Sequence, residues 1–93
     1  MTRGERDAPC WVYVLRCRDG SLYTGWTTDV ARRVAEHGEG KGARYTRSRL
    51  PVELAYQEGW GTRAEAMRRE REIKAMDHAT KLALIARGAR DAG

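Results

Sequence analysis

Two runs rich in aromatic and β-branched residues, 11–17 (WVYVLRC) and 21–26 (SLYTGW), flank Arg18-Asp19-Gly20 and constrain everything around them. Asp-Gly between such runs is a strong reversal signal, so they predict an antiparallel hairpin. The register is less determined. A two-residue turn at Asp19-Gly20 pairs Cys17 with Leu22 and sends Tyr13 and Tyr23 to opposite faces. A three-residue loop with Gly20 in a left-handed bulge pairs Cys17 with Ser21, Leu15 with Tyr23 and Tyr13 with Gly25. Both tyrosines then share a face. Local sequence fits either turn.

After the hairpin, Thr28 or Asp29 caps a helix reaching about His37. Residues 38–50 (GEGKGARYTRSRL) hold three glycines and four basic residues and read as a loop. Pro51 precedes a third strand over about 52–58, where Val52, Leu54 and Tyr56 alternate. Thr62 and Glu65 form a capping box that opens a helix running to about Met76. A last helix over about 79–87 ends before Gly88, a good C′ residue. The order β-β-α-β-α-α predicts an α+β fold, a three-stranded antiparallel sheet flanked by helices. Residues 1–8 read as a disordered leader, 9–87 as one domain and 88–93 as a loose tail.

No apolar run approaches the length of a membrane span, and no charged n-region precedes an apolar segment; both point to the cytoplasm. Cys10 and Cys17 lie seven positions apart on one strand, roughly 20 Å at ~3.3 Å per residue, too far for a disulfide. They read as small apolar fillers. The net charge is +5, and 15 of the 18 basic residues are arginines. Guanidinium matches phosphate bidentately, so a polyanion is one reading of this surplus. A merely solvated basic surface is the other.

Polar residues on apolar helix stripes narrow the choice. At 100° per residue, Val30, Val34 and His37 share one face of the first helix with Arg33 at its edge, while Arg32 and Glu36 point away. On the second helix Ala66, Met67, Glu70 and Ile73 share a face. A half-buried carboxylate needs a partner or a cation. One solution is a structural Arg33–Glu70 ion pair tying the helices together. The other is a site in which Glu70 holds a cation, Arg33 holds a phosphate, and a tyrosine or His37 moves a proton, a set suited to phosphodiester hydrolysis. Tyr13 and Tyr23 also suit plain aromatic core with hydroxyls at the rim. Gly25 within a strand marks a close approach of backbone or ligand. Lys41, Arg44, Arg47 and Arg49 read as a phosphate-tracking arm, with Tyr45 available to stack on a base. Lys74 joins that nucleic-acid set. Trp26, Trp60, Met67 and Met76 fit as packing residues.

Tyr13, the Tyr23-Thr24-Gly25 run, Arg33, His37 and Glu70 together resemble the GIY-YIG nuclease domain, over nearly the whole chain. The likeness is greatest to small single-domain members of the UPF0213 type, through LYTGWTTDVARR, KGARYTR and RLPVELAY. Three departures stand out: the first motif reads Trp11-Val12-Tyr13, the second reads Tyr23-Thr24-Gly25, and the chain contains no asparagine where larger members carry one late in the domain. The resemblance implies a three-stranded antiparallel sheet with flanking helices. It implies Tyr13 as the base that activates water, Tyr23 near the scissile phosphate, and Arg33 on the phosphate. His37 would assist proton transfer, and Glu70 would be the one protein ligand of Mg²⁺ or Mn²⁺. The expected activity is a metal-dependent DNA endonuclease acting on branched, single-stranded or damaged DNA in repair or recombination. RNA is a further substrate class. Competing expectations are a nucleic-acid binding module with little or no catalysis, and a nuclease active only with a partner protein.

Overall fold

The computed structural model describes residues 9–92; the expected leader at 1–8 lies outside the described residues. Strands β1 (Cys10–Cys17), β2 (Leu22–Thr27) and β3 (Val52–Trp60) form an antiparallel sheet in the order β2-β1-β3. Helix α1 (Val30–Gly38) follows β2, and a single turn, α2 (Arg44–Arg47), precedes β3. Helices α3 (Arg63–Lys74) and α4 (His78–Ala92) complete the α+β architecture.

The hairpin takes the three-residue turn. Cys17 N–H donates to Ser21 O at 2.9 Å, Gly20 N–H returns to Cys17 O at 2.9 Å, and Gly20 has φ 85°. Leu15 therefore opposes Tyr23, and Tyr13 opposes Gly25. Positive φ at Gly20 is the left-handed bulge position, where a Cβ would be strained. Asp19 consolidates the turn by accepting from both the N–H and the hydroxyl of Ser21.

Alternation along β1 divides the molecule into two layers. Cys10, Val12 and Val14 point to one side, where they form the core with Leu22, Ala66, Ile73, Leu84 and Ile85. Trp26, Tyr56, Trp60 and Met76 pack around it. Met67 was expected to join this packing but stays 39 % exposed, because Ala66 and Ile73 already set the buried line of α3. Both cysteines are buried free thiols. On the other side, Tyr13 and Leu15 are buried, and α1 packs over them through His37.

Caps account for two helix starts. Asp29 accepts from Arg32 N–H at α1, and Thr62 with Glu65 makes the reciprocal capping box of α3. Other boundaries differ from expectation. The segment 38–50 is not wholly loop, since α2 forms within it; β3 extends to Trp60, and α3 stops at Lys74. Gly88 does not end α4, which continues through the expected tail as far as Ala92. A Cβ on Gly88 would lie 2.8 Å from the Tyr56 ring, so this glycine serves close helix–strand approach instead of a C′ stop.

Candidate active site

The bulged turn places both tyrosines on the α1 side of the sheet. Their ring centroids lie 6.5 Å apart, and the His37 ring is 5.8 Å from Tyr13 and 5.1 Å from Tyr23. Tyr13 Oη stands 2.9 Å from His37 Nε2. His37 is wholly buried and Tyr13 is 1 % exposed, so this pair lies beneath the surface while Tyr23 is half-buried at its rim. Gly25 makes the arrangement possible. A Cβ there would fall 2.5 Å from Tyr13 Oη and 2.7 Å from Cζ, so the space that marked Gly25 in the sequence is filled by the Tyr13 ring.

Arg33 sits one turn before His37, as its place on the stripe predicted. Its Nη1 donates to Glu36 Oε1 at 2.9 Å, and its Nη2 donates to Gly42 O at 3.0 Å. Glu36 was expected to face away from the site; the flexible guanidinium reaches it across one helical turn. The structural Arg33–Glu70 pair does not form. Glu70 is 18 % exposed, with Lys74 Nζ at 3.5 Å. Of the fork's five N–H groups, two are engaged within the chain, which leaves donors for a phosphate.

Electrostatics keep the inner pair neutral. Burial raises the Tyr13 phenol above its ordinary value, against the pull of Arg33 and with further upward pushes from Tyr23 and Glu70. Burial, then the Arg33 charge, hold the His37 imidazole below its ordinary value, with Glu36 opposing. The hydrogen bond to Glu36 is the chief reason Arg33 is raised. Glu70 is thus close enough for its charge to be felt at Tyr13.

Segment 41–49 covers these groups. Gly42 lies against the imidazole so tightly that any Cβ would overlap the ring. Thr46, wholly buried, brings Oγ1 to 2.7 Å from His37 Nδ1. Tyr45 stacks on Tyr23 at 5.9 Å, and Arg49 lies over Tyr45 at 3.9 Å while bonding Asp19 at 3.2 Å. Arg49 thus tethers the segment to the β1–β2 turn. Lys41, Arg44 and Arg47 are exposed. Sequence reasoning missed Thr46 and Glu36 as neighbours of the site. Glu36 was findable as the i+3 partner of Arg33; for Thr46 the only hint was one β-branched residue among arginines.

Residues 9–82 match the model of the GIY-YIG catalytic domain. The chain belongs to the GIY-YIG family. Among similar proteins, the UPF0213 protein of Halobacterium salinarum is 58% identical over 74 residues, covering 80% of this chain and 96% of that one. The UPF0213 protein of Staphylococcus haemolyticus is 53% identical over 75 residues, covering 81% and 92%. The solution NMR structure of the UPF0213 protein from Bacillus halodurans superposes with a TM-score of 0.55 at 47% identity, covering 83% of this chain and 82% of that one. That of a protein from E. faecalis gives 0.56 at 40% identity, covering 82% and 81%.

GIY-YIG nucleases depend in general on a divalent metal, and the donor set here fits one kind of ion. Among the described residues no group of three or more His, Cys, Asp or Glu converges, so a closed protein cage is not built. Glu70 is a half-buried carboxylate whose ion-pair partner among the described residues is Lys74. One carboxylate suits a hard cation that keeps most of its water and takes its remaining oxygens from substrate.

Proposed function

We propose that the protein is a metal-dependent DNA endonuclease that hydrolyses phosphodiester bonds, with Tyr13, Tyr23, Arg33, His37 and Glu70 as its site. The observation that carries this reading is the 2.9 Å contact between Tyr13 Oη and His37 Nε2 beneath Arg33 and Tyr23. A phenol with 1 % exposure is shielded from bulk solvent, so its proton leaves most directly to the neutral imidazole. The phenolate so formed is the base for a water that arrives with the bound phosphodiester. Arg33 neutralises charge on the non-bridging oxygens through its remaining donors. Glu70 would hold Mg²⁺ or Mn²⁺, which supplies Lewis-acid polarisation of the phosphate when bound.

Lys41, Arg44 and Arg47 would follow the backbone of the nucleic acid, and the Tyr23–Tyr45–Arg49 stack would offer a platform that an unpaired base extends. That platform favours DNA with accessible bases, as in flaps, junctions and single-stranded regions, and hence a place in repair or recombination. The test is cleavage of flap, junction and single-stranded DNA with Mg²⁺ or Mn²⁺, alongside Glu70→Ala and Arg33→Ala. Metal-dependent cleavage that both substitutions abolish is expected. Cleavage surviving Glu70→Ala would sink the mechanism, and binding without cleavage on every substrate would favour a binding module.

A further inference from the structure

The inner pair works as a proton acceptor only if one specific nitrogen of His37 is bare. A neutral imidazole carries a single N–H, and Nε2 can accept the Tyr13 proton only when that N–H is on Nδ1. Burial and the neighbouring Arg33 charge keep His37 neutral, so the tautomer decides the direction of the Tyr13–His37 bond.

Nδ1 faces Thr46 Oγ1 at 2.7 Å, and Thr46 Oγ1 stands 3.1 Å from Ala43 O. The hydroxyl has one proton to give. On a helical turn its ordinary acceptor is the carbonyl three residues back, and Ala43 is that residue. With the proton directed there, Oγ1 meets Nδ1 with lone pairs and requires Nδ1 to be the donor. The chain of bonds then runs from Tyr13 O–H to Nε2, from Nδ1–H to Thr46, and from Thr46 O–H to Ala43 O. Two further features hold this arrangement. Thr46 is wholly buried, so no bulk water competes for its hydroxyl. Gly42 packs against the imidazole, which hinders a turn about Cβ–Cγ that would put a carbon in the place of each nitrogen.

We infer that Thr46 is a positioning residue that fixes His37 in the Nδ1–H tautomer and so leaves Nε2 free to take the Tyr13 proton. The transfer balances: the Tyr13 O–H bond breaks, an Nε2–H bond forms, and the resulting imidazolium still donates through Nδ1 to Thr46. A ligand that accepts from Nδ1–H also raises the basicity of the opposite nitrogen, as in histidines backed by a carbonyl or carboxylate. The catalytic purpose of this rests on the endonuclease reading above; the tautomer itself does not.

The experiment reads the tautomer first. Long-range proton–nitrogen correlation on the ¹⁵N-labelled full chain at neutral pH, with His78→Gln to assign the second ring, reports which His37 nitrogen is protonated. The expected result is Nδ1 protonated and Nε2 bare in the unsubstituted chain and in Thr46→Ser. In Thr46→Val, which keeps the shape but removes the acceptor, the proton should move wholly or partly to Nε2. Cleavage of flap DNA with Mg²⁺ should fall by roughly 10- to 100-fold in Thr46→Val and stay within a few-fold in Thr46→Ser. An unsubstituted chain with its proton on Nε2, or a Thr46→Val chain with an unchanged tautomer, overturns the inference. The first of these needs no variant, so a Thr46→Val chain that does not fold leaves the inference open to refutation. A chain that cleaves nothing, yet holds the Nδ1 proton and loses it in Thr46→Val, upholds the positioning and overturns the nuclease reading.

Discussion

Arg33 donates to Glu36 at 2.9 Å, so the arginine that faces the site already has an anion beside it. The pair is half-exposed, and screening by solvent makes it a weak clamp that a phosphate can displace or share. Glu36→Gln should therefore tighten DNA binding by a few-fold and leave folding unchanged. Arg33→Lys keeps the charge but loses the fork, and should lower cleavage by roughly 10²-fold or more. Binding isotherms and single-turnover cleavage test both. Equal affinity in Glu36→Gln and in the exposed control Glu53→Gln would remove the competition.

Glycines at 25 and 42 should behave unlike the glycine at 38. A Cβ at the first two meets the Tyr13 and His37 rings, whereas nothing lies within 4 Å of one built at Gly38. Gly25→Ala and Gly42→Ala should each cost about 1–3 kcal/mol, the usual range for overpacking. Gly38→Ala, at the end of α1, should be neutral or stabilising by up to about 1 kcal/mol. Urea melts decide the order, and a neutral Gly42→Ala would contradict the packing of the 41–49 segment on His37.

Stability should fall on mild acidification because of His37. Its folded value lies below the ordinary 6.5, so between those limits the unfolded chain binds a proton that the native chain does not. The contribution is complete above about pH 6.5 and shrinks as the pH falls towards the folded value. Between about pH 7.5 and 5.5 the denaturation midpoint should drop more in the unsubstituted chain than in His37→Gln. Identical drops would assign the effect to other groups.

The arginines of the covering segment should separate into two kinds. Arg44 and Arg47 are exposed, and Arg44→Ala or Arg47→Ala should reduce the salt dependence of DNA binding by about one phosphate contact each, with little change in stability. Arg49 bonds Asp19, the Tyr45 carbonyl and the Tyr45 ring face. Arg49→Ala should instead loosen the segment, lower the melting temperature and expose Tyr45 to quenchers. A salt slope left unchanged by the Arg44 and Arg47 substitutions would count against phosphate tracking.

Much of the sheet was legible because alternation and turn chemistry are local. Tyr13 and Tyr23 could be placed in the right run, but the choice between the two turns depends on which face of the sheet is covered, and that is a tertiary fact. The apolar stripe found Arg33, His37 and Glu70 by period alone. The stripe did not give Arg33 its partner, because a long guanidinium reaches beyond the face its Cα occupies; the i+3 spacing to Glu36 was the signal that did. Residues 38–50 were the hardest to read. Glycine and charge both indicate loop, yet the burial of Thr46 is created by His37 and has no signature of its own. Gly88 shows the same ambiguity, since a C′ glycine and a close-contact glycine look alike until Tyr56 is in place.

The strand order β2-β1-β3 also gives the two pairings of β1 very different loop lengths. β1 meets β2 across a three-residue turn, but it meets β3 only after Cys17 has found Val52. Closing a loop of that length carries an entropic cost of about 3 kcal/mol before any pairing offsets it. The hairpin and the helix after it can bring Tyr13, Tyr23 and His37 together early. Glu70 lies beyond β3 in sequence, on a helix that packs against β1 and β2. The groups proposed to handle the proton therefore precede the proposed metal carboxylate along the chain, and the proposed site would be complete only in the finished fold.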